Sequence, residues 1–123
     1  MFRRYSLQYV EETVVVRFRG DVPSRRHAWM GALDALLLAG RRRFVISLQE
    51  VVLQRSSDAA FVGTVAQHVR DCGGVAVFVP PDATTAQRLL RRATATAALS
   101  LAETVESGLA LLDAGAKPPA GRP

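Results

Sequence analysis

What the chain has little of already narrows its class. It holds one cysteine, Cys72, in 123 residues. An internal disulfide is therefore excluded, and so is a metal centre built on cysteines. No apolar run approaches the ~20 residues that a membrane helix needs. The first residues, Met1-Phe-Arg-Arg-Tyr5, carry charge with no apolar stretch behind them, which is not the pattern of a signal peptide. Cytoplasmic residence is the expectation. The two histidines, His27 and His68, stand 41 positions apart with no carboxylate or cysteine at ligand spacing. No metal or other cofactor is expected. A Ser-His-Asp arrangement, a glycine-rich phosphate loop and a paired-carboxylate motif are all missing, so the chain is not expected to be an enzyme.

What is present is enough for one ordinary domain. Apolar residues make up 49% and charged residues 22%, so a core can form and general disorder is not expected. The net charge is +5 and the sequence pI about 10.6. Of sixteen basic residues, all but one are arginine. They come in scattered groups, at Arg3-Arg4, Arg17 and Arg19, Arg25-Arg26, Arg41 to Arg43 and Arg91-Arg92. They form no single stripe and have no interleaved aromatics, which argues for solvated faces and against a nucleic-acid surface.

The stretch Phe44 to Val69 organises the rest. Phe44 to Leu48 is a short apolar run of strand character. A loop that stays apolar at Val51, Val52 and Leu53 follows. That loop either closes the sheet edge or meets a partner. Then Ser56 and Ser57 stand where a helix should begin, the helix running from about Ser57 to Cys72. A serine there can cap the helix by accepting from a free N–H of the first turn. The same N–H groups and the positive end of the helix dipole favour an anion, so a phosphate is the other use of the position. Cys72 falls on the apolar stripe and is expected in the core.

Around this stretch the chain alternates strands and helices. Tyr5 to Val10 and Thr13 to Arg19 read as strands joined at Glu11-Glu12. In the second, Val14, Val16 and Phe18 share one face and Val15, Arg17 and Arg19 the other. Ser24 is a candidate cap for a helix to about Ala39 with the stripe Trp29, Leu33, Leu36 and Leu37. Trp29 fits core packing, or a partner anchor if exposed. Gly40 is placed to end that helix, with Arg41 to Arg43 at its negative end. Val75 to Val79 is apolar on both faces, as a covered central strand is. A helix from about Asp82 to Ala93, a short strand at Ala98 to Leu101 and a helix capped by Thr104 complete the order. From Ala114 the composition predicts a frayed tail, so residues 1–113 form the domain and 114–123 a flexible end. Alternating β and α elements imply an α/β domain with a mixed, mostly parallel sheet of about five strands and about four helices.

This order resembles the STAS domain, the fold of anti-sigma factor antagonists, over roughly residues 5 to 113. Val14-Val-Val-Arg-Phe-Arg-Gly20-Asp21 is similar to the family's second strand with its Gly-acid exit. Phe44 to Asp58 is similar to the strand and loop that lead to the family's phosphorylated serine. Gly73-Gly74-Val-Ala-Val-Phe-Val and Ser100 to Leu112 are similar to the later elements. The family's usual Asp-Ser-x-Gly motif reads here Arg55-Ser56-Ser57-Asp58. Ser47 stands where a strand-ending Asp is usual, and Pro23 where an acid is common. The resemblance implies a regulatory protein-binding module. Its partner would be a serine kinase of the GHKL ATPase type that is itself an anti-sigma factor, with a second copy of the chain as a further partner. Ser56 or Ser57 would be phosphorylated. Asp21, Val52, Leu53, Arg55 and Asp58 would contact the partner. The alternative is a divergent subunit without switching, a constitutive scaffold in a larger regulatory or transport assembly.

Overall fold

Alternation of β-branched residues with a short turn sets the first pair of strands. The computed structural model describes residues 5–93 and 99–116. β1 (Tyr5–Val10) and β2 (Thr13–Asp21) form an antiparallel hairpin with Tyr5 opposite Phe18 and Val10 opposite Thr13. The turn lacks glycine, and Glu11 takes the left-handed conformation at φ 54° instead.

The other strands are reached by helices. After α1 (Val22–Leu38) come β3 (Arg43–Val52), α2 (Ser56–Asp71), β4 (Val75–Val79), α3 (Ala83–Ala93), β5 (Ser100–Leu101) and α4 (Val105–Ala116). The sheet order is β1-β2-β3-β4-β5, and every pair after the hairpin is parallel. Each crossover steps one strand in the same direction. Right-handed connections then place α1, α2 and α3 on one face of the sheet. α4 follows the last strand and covers the opposite face, over Val15, Val45, Val77 and Val79.

The face under the first three helices holds the larger core. Val14, Val16 and Phe18 of β2, Phe44, Ile46 and Leu48 of β3, and Phe78 of β4 meet Trp29 and Leu33 of α1, Val62 and Val65 of α2 and Leu89 of α3. Trp29 is fully buried, stacked on Phe18 with ring centroids 4.7 Å apart. It is a core residue and offers no anchor to a partner.

Five expectations about elements change. The apolar loop at 51–53 is for the most part strand, because β3 continues to Val52. The pairing slips once: Arg17 stands opposite Ser47, but Arg19 stands opposite Glu50. β3 thus carries one extra residue, a β-bulge. Before it, Phe44, Ile46 and Leu48 face the helices; after it, Val51 and Leu53 do. The polar pair Gln49-Glu50 had disguised this as the end of the strand. Second, Asp21, not Ser24, caps α1, its Oδ2 accepting from the Ser24 N–H at 3.2 Å. Third, Cys72 is exposed at the C-cap of α2, beyond the last buried turn. Fourth, α4 runs to Ala116, three residues into the segment assigned to the tail; the remainder of that segment, from Lys117, lies outside the described residues. Fifth, the last strand is shorter than Ala98 to Leu101, and Ala98 itself lies outside the described residues.

The arginines are distributed as expected. Arg42 donates to the Leu37 carbonyl at 2.8 Å, at the negative end of α1. Arg17 donates to Gln8, Arg19 pairs with Glu50, Arg43 pairs with Asp113, and Arg41 lies over the Tyr9 ring. Gly40 ends α1 at φ 93°, with the Arg41 N–H returning to the Leu36 carbonyl. Gly74 has another reason to be glycine: a Cβ there would meet the Arg42 carbonyl oxygen at 2.8 Å.

Candidate functional site

The C-terminal end of β3 delivers the chain to the start of α2. Leu53 is 7% exposed and anchors the connection in the core. Gln54 and Arg55 follow, Arg55 in extended backbone at φ −107° and ψ 160°. α2 then begins at Ser56, one residue earlier than the sequence predicts. Arg55 is thereby the N-cap, and Ser56, Ser57 and Asp58 are the first three helical residues. The serines do not cap the helix. A guanidinium has no acceptor, so the cap residue contributes only its carbonyl, which accepts from the N–H groups of Asp58 and Ala59 at 3.0 and 3.3 Å.

Asp58 closes the junction from inside. It is 4% exposed, and its Oδ2 accepts from the backbone N–H groups of Gln54 and Arg55, each at 3.1 Å. This carboxylate thus ties the loop to the first turn, like the N3 residue of a capping box. Asp58 and Leu53 were both expected to touch a partner. Both are buried, because one holds the loop and the other plugs the core beneath it. The surface they support is formed by Val52, 43% exposed, and by Arg55, Ser56 and Ser57, all exposed. The N–H groups of Ser56 and Ser57 belong to the first turn and have no intrahelical acceptor.

Asp21 lies at the neighbouring strand end. It pairs in register with Val52, so its loop is beside the α2 junction. Its carboxylate is committed to the start of α1. Hydrogen bonds from Ser24 hold its pKa below the ordinary value of 3.8. The structure therefore brings Asp21, Val52, Arg55, Ser56 and Ser57 to one end of the sheet, at the carboxyl ends of β2 and β3, where ligands of open α/β sheets are bound.

Two residues of this region were missed by the sequence reading. Arg88 and Arg91 of α3 line a cleft of about 370 Å³ with Gln54, Arg55, Ser56 and Ala59. Arg88 donates through Nη2 to the Leu53 carbonyl. Its half-buried side chain thereby fixes α3 against the β3–α2 connection. The spacing of Arg88 and Arg91, three apart, showed that they share a helix face. Only the packing of α3 on α2 shows that this face meets Ser56.

No protein-family model matches the chain, and neither does any curated protein. Solved structures do. The chain is similar to a serine-to-glutamate variant of RsbS from Moorella thermoacetica, with TM-score 0.75 and 15% identity over 93% of this chain and 98% of that one. It is similar to the anti-sigma factor antagonist SpoIIAA in its unphosphorylated form, with TM-score 0.64 and 15% identity over 90% and 98% of the two chains. It is also similar to a chain of the stressosome, a signal integration and transduction hub, with TM-score 0.68 and 15% identity over 92% and 100%. These likenesses establish the STAS fold that the sequence resemblance implied. Among the described residues, no helix is long and apolar enough to cross a membrane.

Proposed function

We propose that this chain is a cytoplasmic regulatory protein-binding module of the anti-sigma factor antagonist kind, not an enzyme. Its partner is a GHKL-type serine kinase that doubles as an anti-sigma factor, and phosphorylation at Ser56, with Ser57 as the second candidate, switches the contact. One observation carries this reading. Ser56 is exposed in the first turn of α2, at the end of a rigid strand. A hydroxyl held there is accessible to a kinase, and the helix dipole stabilises the phosphate that results by ~0.3–1 kcal/mol. In the transfer, the Ser56 oxygen bonds the γ-phosphorus of ATP as the bond to ADP breaks, and the hydroxyl proton passes to a base of the kinase.

The docking surface comprises Val52, Arg55, Ser56, Ser57 and the exposed Asp21 loop. A partner shaped to the neutral serine loses its fit when the phosphate adds about −1.5 to −2 charges and three acceptor oxygens. The test is incubation with the cognate kinase and ATP, followed by mass spectrometry and size-exclusion chromatography. A stable complex with the unmodified chain and a phosphate on Ser56 or Ser57 is expected. Absence of both retires the proposal.

A second reading has its own support. The Arg55-Ser56-Ser57-Asp58 sequence departs from the family motif, and a stressosome chain shares the fold over nearly its whole length. In this reading the chain is a constitutive scaffold inside a larger regulatory or transport assembly, built with other copies of itself or related subunits. Ser56→Ala and Ser56→Glu would then leave partner binding unchanged, whereas the switch requires the glutamate variant to weaken it.

A further inference from the structure

The cleft beside Ser56 carries a charge that docking alone does not explain. Arg55, Arg88 and Arg91 line it, with Gln54, Ser56 and Ala59, and no carboxylate is among the described residues that line it. Arg88 spends Nη2 on the Leu53 carbonyl, while its Nε is buried without an acceptor. Two acids near these elements are engaged in helix-start hydrogen bonds, and Asp82 also feels the charge of Arg88. Asp58 Oδ2 accepts from Gln54 and Arg55, and Asp82 Oδ1 accepts from the Thr85 N–H at 2.7 Å. Three arginines thus line a recess that also receives the first turn of α2. Guanidinium forks match phosphate oxygens in shape and charge, and do so better than an ammonium.

From this we infer that the cleft is an intramolecular receptor for a phosphate monoester on Ser56. The modified side chain is received by Arg88 and Arg91 of α3, with Arg55 at the mouth. This deepens the switch and rests on Ser56 being the acceptor. The consequence is specific. Phosphorylation does more than add charge to a docking surface: it fills a cationic recess and neutralises much of it. A partner that places an acidic group in the recess of the unmodified chain is displaced by the chain's own phosphate. Ser57 does not line the cleft. A phosphate there would meet the helix dipole without the α3 arginines.

The test installs phosphoserine by genetic encoding, at position 56 in one preparation of the full chain and at position 57 in another, and titrates each by phosphorus NMR. An ordinary phosphoserine has its second pKa near about 6. At position 56 the arginines are expected to lower it by about one unit or more. Arg91→Gln and Arg88→Gln should each return it toward the ordinary value. Because Arg88 also holds the Leu53 carbonyl, urea unfolding of each variant separates a loss of phosphate contact from a loss of fold. Phosphoserine at position 57 is expected to show a smaller shift that neither substitution changes. Equal shifts at the two positions, or no response to Arg91→Gln, overturn the inference. A free anion is the rival source of the same chemistry. Saturable binding of inorganic phosphate to the unmodified chain, tighter than about 1 mM, would assign the cleft to that source and overturn the role of Ser56. The kinase assay and this titration fail separately, since encoded phosphoserine needs no kinase.

Discussion

Helix starts in this molecule come in two kinds. α1, α3 and α4 are each closed by an acceptor side chain. Asp21 accepts from Ser24 N–H, Asp82 from Thr85 N–H, and Thr104 Oγ1 from Ser107 N–H at 3.0 Å. α2 has an arginine at the same position, and the one acidic group of its first turn, Asp58, points back to the loop. Each of the first three starts has a first-turn donor taken by its cap side chain. The fourth leaves its two leading residues, both serines, exposed with no side chain over their N–H groups. A helix start without an acceptor costs stability, typically ~1 kcal/mol. The one place where the fold bears that cost is where it presents Ser56 and Ser57 and where a cleft with arginines opens beside them.

The largest test of this contrast is the group that substitutes for a cap. Asp58→Ala removes the acceptor of two N–H groups at a nearly buried site, and a loss of about 2–3 kcal/mol is expected. Urea unfolding measures it directly. A loss below about 0.5 kcal/mol would mean that the loop holds its shape without Asp58. Next come the capped starts. Asp82→Ala and Asp21→Ala should each cost about 1 kcal/mol, while Asp21→Asn, which keeps an acceptor, should be nearly neutral. The open start should behave in reverse. Arg55→Ser supplies the missing acceptor and is expected to stabilise the chain by about 0.5–1 kcal/mol, while weakening phosphate capture at Ser56. If it destabilises instead, Arg55 contributes to the fold through contacts other than capping, and the start is not open in the sense meant here.

The smallest effect is on pH. Hydrogen bonds from Ser24 lower the Asp21 pKa, and those from Thr85 lower that of Asp82, both from an ordinary 3.8. A carboxyl whose pKa is lowered by folding stabilises the native state fully above its unfolded value. That contribution is lost as pH falls through the folded value. Acidification from about pH 5 to pH 3 should therefore loosen the starts of α1 and α3 first. Amide exchange of Ser24 and Thr85 measures this, and the Asp21→Ala and Asp82→Ala chains should lack it.

Much of this was legible from residues. The β and α order follows from alternation in β2, from the both-sided apolar runs of β3 and β4 and from the stripe of α1. Gly40, Gly73 and Thr104 mark boundaries that the structure keeps. The errors share one cause. The bulge in β3, the cap at Asp21 and the exposure of Cys72 all depend on which way a residue turns at the edge of an element, and local pattern is weakest there. Leu53 is expected from sequence either to close the sheet edge or to meet a partner, and Asp58 to meet one; both are buried. Whether a junction residue faces in or out is decided by what packs over it, and that is not a local property.

By itself, then, the amino-acid order determined the class of architecture and the position of the serines at a helix start, since hydrophobic period and turn chemistry act over a few residues. Only the packed molecule decided that Arg55 would leave that start without an acceptor, that Asp58 would be enclosed, and that Arg88 and Arg91 would be carried across from α3 to line the recess at Ser56. The last of these depends on α2 and α3 meeting face to face across about 30 residues of chain. Such distances are set by crossover handedness and core packing, which no short window of sequence contains.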